Sequence, residues 1–378
     1  MIKVKHFNPN SVVPYYMPCT LAALHENIKS KNSSSFLSLY PNAQLISVPV
    51  YRKSKGNQSY GFTNLWDVDK LGYAFLDKIF DFSFDIFQYP SFLEGLEGLR
   101  HFIEEQEAVL VTGTSFFTPY SDDYKNMEYL ERYKEENPEI RNHVITLYGV
   151  SGEEMLVYDP VPYNYKGPLS MKDFKDFWRG DKGHPELQHR EDIRGLLTYG
   201  GATITVNKEH DIPFLKEVFF KTISTIIYEY LNGSVIEDTK DNVYFFGKEA
   251  LREFLTDLKE PIREKGNISS TLSNCIQEMK HGKYFLRDLL IEFHGYIDYR
   301  FIEEYKNIVS EWEKVHNLCR IYIARNKNDF SSIYLRIKEL FEREYNFMSN
   351  LHHSIGNSSR LEKGSSFSEI VTSDVKYL

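Results

Sequence analysis

At 378 residues, with 27 Tyr, 27 Phe and 26% charged side chains, the chain is too long for one ordinary core and apolar enough to fill two, which excludes wholesale disorder. A net charge of −9 with no dense run of Lys and Arg makes nucleic acid a poor partner. Three cysteines, Cys19, Cys275 and Cys319, are too few and too odd for a disulfide framework; with no apolar leader and no run approaching ~18 apolar residues, the chain reads as cytoplasmic, with no membrane partner.

The first half alternates short apolar runs with turn clusters. Pro14 and Pro18 precede a segment in which Leu21, Leu24 and Ile28 share a helical face, so Cys19 is expected in a first helical turn. Leu93, Leu96, Leu99, Phe102 and Ile103 mark a second helix, which runs into Ala108-Val-Leu-Val111, a buried strand ended by Thr112-Gly113. Residues 143–149 and 155–158 read as two strands about a turn at Ser151-Gly152. Ser170 with Asp173 resembles a capping box ahead of Phe174, Phe177 and Trp178, and Gly200-Gly201 precedes a strand over 202–206. The pattern predicts an α+β domain over residues 1–206, not a parallel wound sheet.

From residue 207 the periodicity becomes helical. Phe214, Val218, Phe219, Ile223 and Ile226 share one face, as do Leu251, Phe254 and Leu258. Phe285, Leu289, Phe293 and Ile297 repeat the pattern, then Phe301, Tyr305, Ile308, Trp312 and Val315, then Ile333, Ile337, Leu340 and Tyr345. These predict an all-α helical bundle over 207–350 and a polar, loosely ordered tail over 351–378.

A nucleophilic cysteine needs its thiolate, a base, and a group that orients the base. A helix N-terminus favours thiolate, and Cys19 is expected there. His143 opens one strand and Asp159 closes the next, so antiparallel pairing about a short turn would make them neighbours. One ring nitrogen would then face the carboxylate and the other the thiol. Taken singly, each residue has a plainer reading: a small buried thiol, a solvated imidazole, a turn-forming Asp before Pro160. The three in this order point to catalysis.

Residues 108–121, ending Thr118-Pro-Tyr-Ser121, followed by His143-Val-Ile-Thr-Leu-Tyr-Gly149 and Val157-Tyr-Asp-Pro160, resemble the N-terminal domain of the butirosin biosynthesis protein H family. Phe246-Gly-Lys-Glu-Ala-Leu251 and Leu286-Arg-Asp-Leu-Leu-Ile-Glu-Phe-His294 resemble its helical C-terminal part. The resemblance implies a papain-like α+β fold with Cys19 as nucleophile, His143 as base and Asp159 as orienting carboxylate. His143 lies 124 residues after Cys19, close to the ~130–150 of papain-like enzymes. It further implies a cysteine-dependent acyltransferase of specialised metabolism, moving an acyl group from a carrier-protein thioester to a small amine. A hydrolase of the same fold and a non-catalytic binding module are the alternatives. The chain departs from the pattern at Pro18, where family members often carry His, and at Val13, where papain-like enzymes commonly place Gln. The Cys19 amide is then one oxyanion donor, with Asn10, Ser11 and Tyr16 as candidates for a second.

No metal or other cofactor is expected, because His184, His189, His352 and His353 lack a ligand pattern. Cys275 and Cys319 fall in helical stretches, as core or partly exposed thiols. Asp122-Asp123 either form a solvated loop or line a cleft mouth that attracts a cationic amine. Arg287, Glu292 and His294 read as a salt-bridged edge of the helical core.

Overall fold

A computed structural model describes residues 1–9, 13–14, 16–17, 19–31, 47–54, 60–63, 82–128, 143–179, 199–206, 211–237, 242–259, 268–327 and 330–358. In chain order they give β1 (Ile2–Lys3), α1 (Cys19–Lys31), β2 (Val50–Ser54), β3 (Tyr60–Thr63), β4 (Phe82–Gln88), α2 (Phe92–Glu104) and β5 (Val109–Gly113). There follow β6 (His143–Ser151), β7 (Glu154–Asp159), β8 (Tyr165–Ser170), α3 (Met171–Arg179) and β9 (Gly200–Val206). The remainder gives α4 (Ile212–Asn232), β10 (Ser234–Glu237), β11 (Asn242–Phe246), α5 (Lys248–Lys259), α6 (Ile268–Glu292), α7 (Tyr299–Ala324) and α8 (Ser331–Ser358). The described residues are thus mixed α+β, with antiparallel sheets and a helical C-terminal region. The chain divides into two units, Met1–Phe36 with Phe80–Glu209, and Leu37–Ile79 with His210–Leu378.

The first unit is built on an antiparallel sheet of order β4-β9-β5-β6-β7-β8, with β1 pairing the far end of β6. Residues 143–150 of β6 are all buried, and alternation explains why. Ile145 and Leu147 join a core with Leu99 and Ile103 of α2 and Phe174 and Phe177 of α3. Thr146, on the opposite face, accepts a hydrogen bond from Asn27 of α1 at 3.0 Å. A strand covered on both faces reads as an apolar run, which is how this one reads in the sequence. Both covering helices on the first face are capped. Ser91 accepts from the Glu94 amide and Ser170 from the Asp173 amide, and each serine hydroxyl donates to the same residue's carboxylate at 2.8 and 2.7 Å. Such caps stabilise a helix by ~1 kcal/mol. Gly113 ends β5 opposite His143, and a Cβ there would lie 2.3 Å from the Phe177 carbonyl oxygen. Glycine is therefore what lets α3 close on the start of β6.

The second unit corrects two expectations, the single cut near residue 206 and the all-helical bundle over 207–350. It carries a four-stranded antiparallel sheet, β10-β11-β2-β3, in which Phe246 pairs with Val50 and Asn242 with Ser54. Residues 50–63 therefore belong with the later helices. Tyr51, fully buried, packs its ring on Phe62 and on Phe254 of α5, and its hydroxyl donates to Asp257 at 2.8 Å. These strands are four or five residues long, too short to show a period, and their partners lie far along the chain. Phe246-Gly247-Lys248 is accordingly a strand end, a turn and a helix start. Gly247 has a φ of +57°, and a Cβ there would lie 1.9 Å from the Glu229 carbonyl oxygen. Helix α8 runs to Ser358, past the expected tail boundary at 350; the residues beyond lie outside those described.

Helices α4, α6, α7 and α8 converge on the fully buried Glu344. Its carboxylate accepts from the Tyr230 hydroxyl, from Lys283 Nζ at 2.7 Å and from Trp312 Nε1 at 2.7 Å.

Candidate active site

Cys19 is the first residue of α1 and is half-buried. Its sulfur meets the His143 ring, and the backbone N–H of Val144 also donates to it. The partner of His143 follows from strand register. Thr146 pairs with Tyr158, so one further step sets Asp159 level with Ile145 and makes His143 its diagonal neighbour on the same face. The observed contact is His143 Nε2 to Asp159 Oδ2 at 2.6 Å. With Nε2 so engaged, Nδ1 remains for Cys19. The structure thus brings Cys19, His143 and Asp159 into one line, with the imidazole in the middle.

The electrostatics of the line have a common cause. Burial alone would raise the Cys19 thiol, but the hydrogen bond and charge of His143, with the Val144 amide, outweigh it and hold the thiol below its ordinary pKa, against opposition from Asp159. Burial would lower His143, yet the charge and hydrogen bond of Asp159, then Cys19, carry it well above the ordinary imidazole range. The two shifts run in the same sense, toward a proton moving from sulfur to ring. Cys275 and Cys319 lie in helices where burial pushes each thiol up to about 11.

The orienting carboxylate is itself held. Tyr120 donates its hydroxyl to the same Asp159 Oδ2 at 3.1 Å, while Oδ1 has no hydrogen-bond partner. The Tyr120 ring stacks on Tyr165, centroids 3.7 Å apart and 10° from parallel. Tyr163 sets its edge on the His143 ring at 5.5 Å and donates its hydroxyl to Asp123 at 2.6 Å; Asp123 also accepts from Ser115 at 2.8 Å. Phe177 of α3 closes the far side of the imidazole, edge-on at 6.4 Å. Sequence reasoning assigned no role to Tyr120, Tyr163 or the Val144 amide. Its one signal was the Thr118-Pro-Tyr-Ser121 motif, and the motif's tyrosine is the residue that holds Asp159.

Asp123 is therefore engaged beside the imidazole, whereas Asp122 is exposed in the adjoining turn, where its backbone carbonyl accepts from Asn126 at 3.5 Å. Asn10, Ser11, Pro18, His184 and His189 lie outside the described residues. Tyr16 lies in the turn closed by the Met17 amide on the Pro14 carbonyl at 3.0 Å, just ahead of Cys19. Arg287 pairs with Asp288 at 2.9 Å, and His294 Nδ1 lies 3.0 Å from the Ile291 carbonyl oxygen. Among the described residues no group of three or more His, Cys, Asp or Glu is placed to hold a metal ion, and no helix is long and apolar enough to cross a membrane.

The arrangement has the parts of a reactive thiol: a thiol lowered at a helix N-terminus, an imidazole to exchange its proton, and a carboxylate held by a second donor. Set against known proteins, the chain matches no family model and no curated relative.

Proposed function

We propose that the chain is a cysteine-dependent acyltransferase with a papain-like first unit. It takes an acyl or aminoacyl group from a thioester donor such as a carrier protein and passes it to a small amine. The observation that carries this reading is the Cys19–His143–Asp159 line with its oppositely shifted thiol and imidazole. The Cys19 thiolate attacks the thioester carbonyl, and collapse expels the donor thiolate, which takes the proton from the His143 imidazolium. The acyl group is then held on Cys19. An amine attacks that carbonyl, His143 accepts its proton, and the Cys19 thiolate leaves as the amide departs. The backbone N–H of Cys19, first in α1, has no acceptor within the helix and is available to the oxyanion.

The resemblance to the butirosin biosynthesis protein H family favours transfer, and exchange of one thioester for another asks little of the oxyanion donors. In a hydrolase on the same site, water would do the work of the amine. A binding module that merely kept the fold would have no use for a depressed thiol. The test is to offer the purified chain a panel of small acyl thioesters, trap acyl-Cys19 by mass spectrometry, then add amines. Transfer is supported if acyl-enzyme forms and an amine diverts it to amide. Acyl-enzyme that water alone discharges against a broad amine panel means hydrolysis, and no acyl-enzyme with any donor removes both.

A further inference from the structure

In the second unit, Lys280 of α6 and His316 of α7 lie side by side, 8% and 7% exposed. Lys280 Nζ is 3.5 Å from His316 Nδ1, and no carboxylate among the described residues makes an ion pair with it. An ammonium has only donors, so the ring nitrogen facing it must be the acceptor, and the imidazole proton sits on Nε2. His316 Nε2 has no hydrogen-bond partner. The pair therefore presents two kinds of N–H donor, ammonium and imidazole, and lacks an acceptor.

The surroundings add to the deficit. Arg320, one turn further along α7, brings more positive charge to the same place, and His281, next to Lys280 on α6, is a further imidazole crowded against them. Glu313, one turn before His316, is the carboxylate whose field reaches Lys280, but its Oε1 already accepts from the Tyr284 hydroxyl at 2.7 Å. Burial lowers Lys280 despite the field of Glu313, and burial, then the neighbouring cations, lowers His316 and takes His281 down to about 4. Buried donors are normally satisfied, and crowded cations call for an anion.

We propose that Lys280 and His316 form an oxyanion site between α6 and α7, taking a phosphate or carboxylate group as the acceptor their N–H donors lack. Nothing in it depends on Cys19. The experiment is isothermal titration of the full chain with inorganic phosphate and, separately, acetate, at constant ionic strength in chloride. Saturable millimolar or tighter binding is expected from at least one, and which one answers tells phosphate from carboxylate. Lys280→Met should weaken it about tenfold or more, as loss of a charge-assisted hydrogen bond does, while Cys19→Ala should bind as the parent does. A second readout needs no variant: the His316 Nε2–H resonance should shift on saturation. Absence of binding by both anions, or unchanged affinity in a folded Lys280→Met, overturns the site and leaves water as the acceptor.

Discussion

Two buried carboxylates, one in each unit, are assembled from similar parts to opposite effect. Asp159 and Glu344 are both fully buried, and each accepts from a tyrosine hydroxyl and from a nitrogen that carries positive charge. On Glu344 both oxygens are filled, by Tyr230, Lys283 and Trp312, and the lysine is sealed with it, its side chain 1% exposed. On Asp159 one oxygen takes both donors and the other is bare, and its cation is a titratable ring that leads on to a half-buried thiol. A network closed on every atom holds helices together and has nothing left to react. A network left open at one end passes its charge outward to the half-buried Cys19 sulfur.

The sharpest way to break this contrast is to remove the reacting ends. Cys19→Ala should abolish acyl-enzyme, and His143→Ala should cut its formation by roughly 10³-fold, with circular dichroism unchanged. The matching change in the second unit should act on stability instead. Glu344→Ala strands the buried Lys283 and should cost about 3–5 kcal/mol in denaturant unfolding, whereas Glu344→Leu with Lys283→Met should recover most of the loss. A smaller effect falls on the bridge between tyrosine and carboxylate. Tyr120→Phe keeps the stack on Tyr165 but removes one donor, a loss of about 1 kcal/mol or fivefold in acylation rate, with little change in melting. If Tyr120→Phe lowers melting as much as rate, its hydroxyl belongs with the structural network and not with the thiol.

Much of the first unit was legible because its cues are local. The serine at 170 announces its helix through a carboxylate three residues on, and the turn at Ser151-Gly152 is short enough to fix the pairing that makes His143 and Asp159 neighbours. What was not legible depends on distance. The pairing of β2 with β11 joins residues nearly two hundred positions apart in strands too short to show a period, so residues 50–63 could not be assigned to the later helices. Tyr120 was visible only as a motif, since its partner lies across a loop and two strands. The buried Glu344, inside an otherwise amphipathic helix, looked like any solvated acid.

Cys19, alone of the three thiols, is lowered by His143, and the pH dependence of alkylation tests this directly. A lowered thiol and a raised imidazole leave the ion pair in place between the two shifted values: it is lost when pH falls through the Cys19 value and again when it rises through that of His143. With peptide mapping after brief iodoacetamide treatment, Cys19 should be modified first, at a rate that levels off at lower pH than an ordinary thiol's. Cys275 and Cys319, pushed up to about 11 and buried, should stay unmodified. His143→Ala should turn the Cys19 profile into one that climbs toward the ordinary thiol range. A parent Cys19 rate that already climbs in that way, or that matches the other two thiols, would contradict the account.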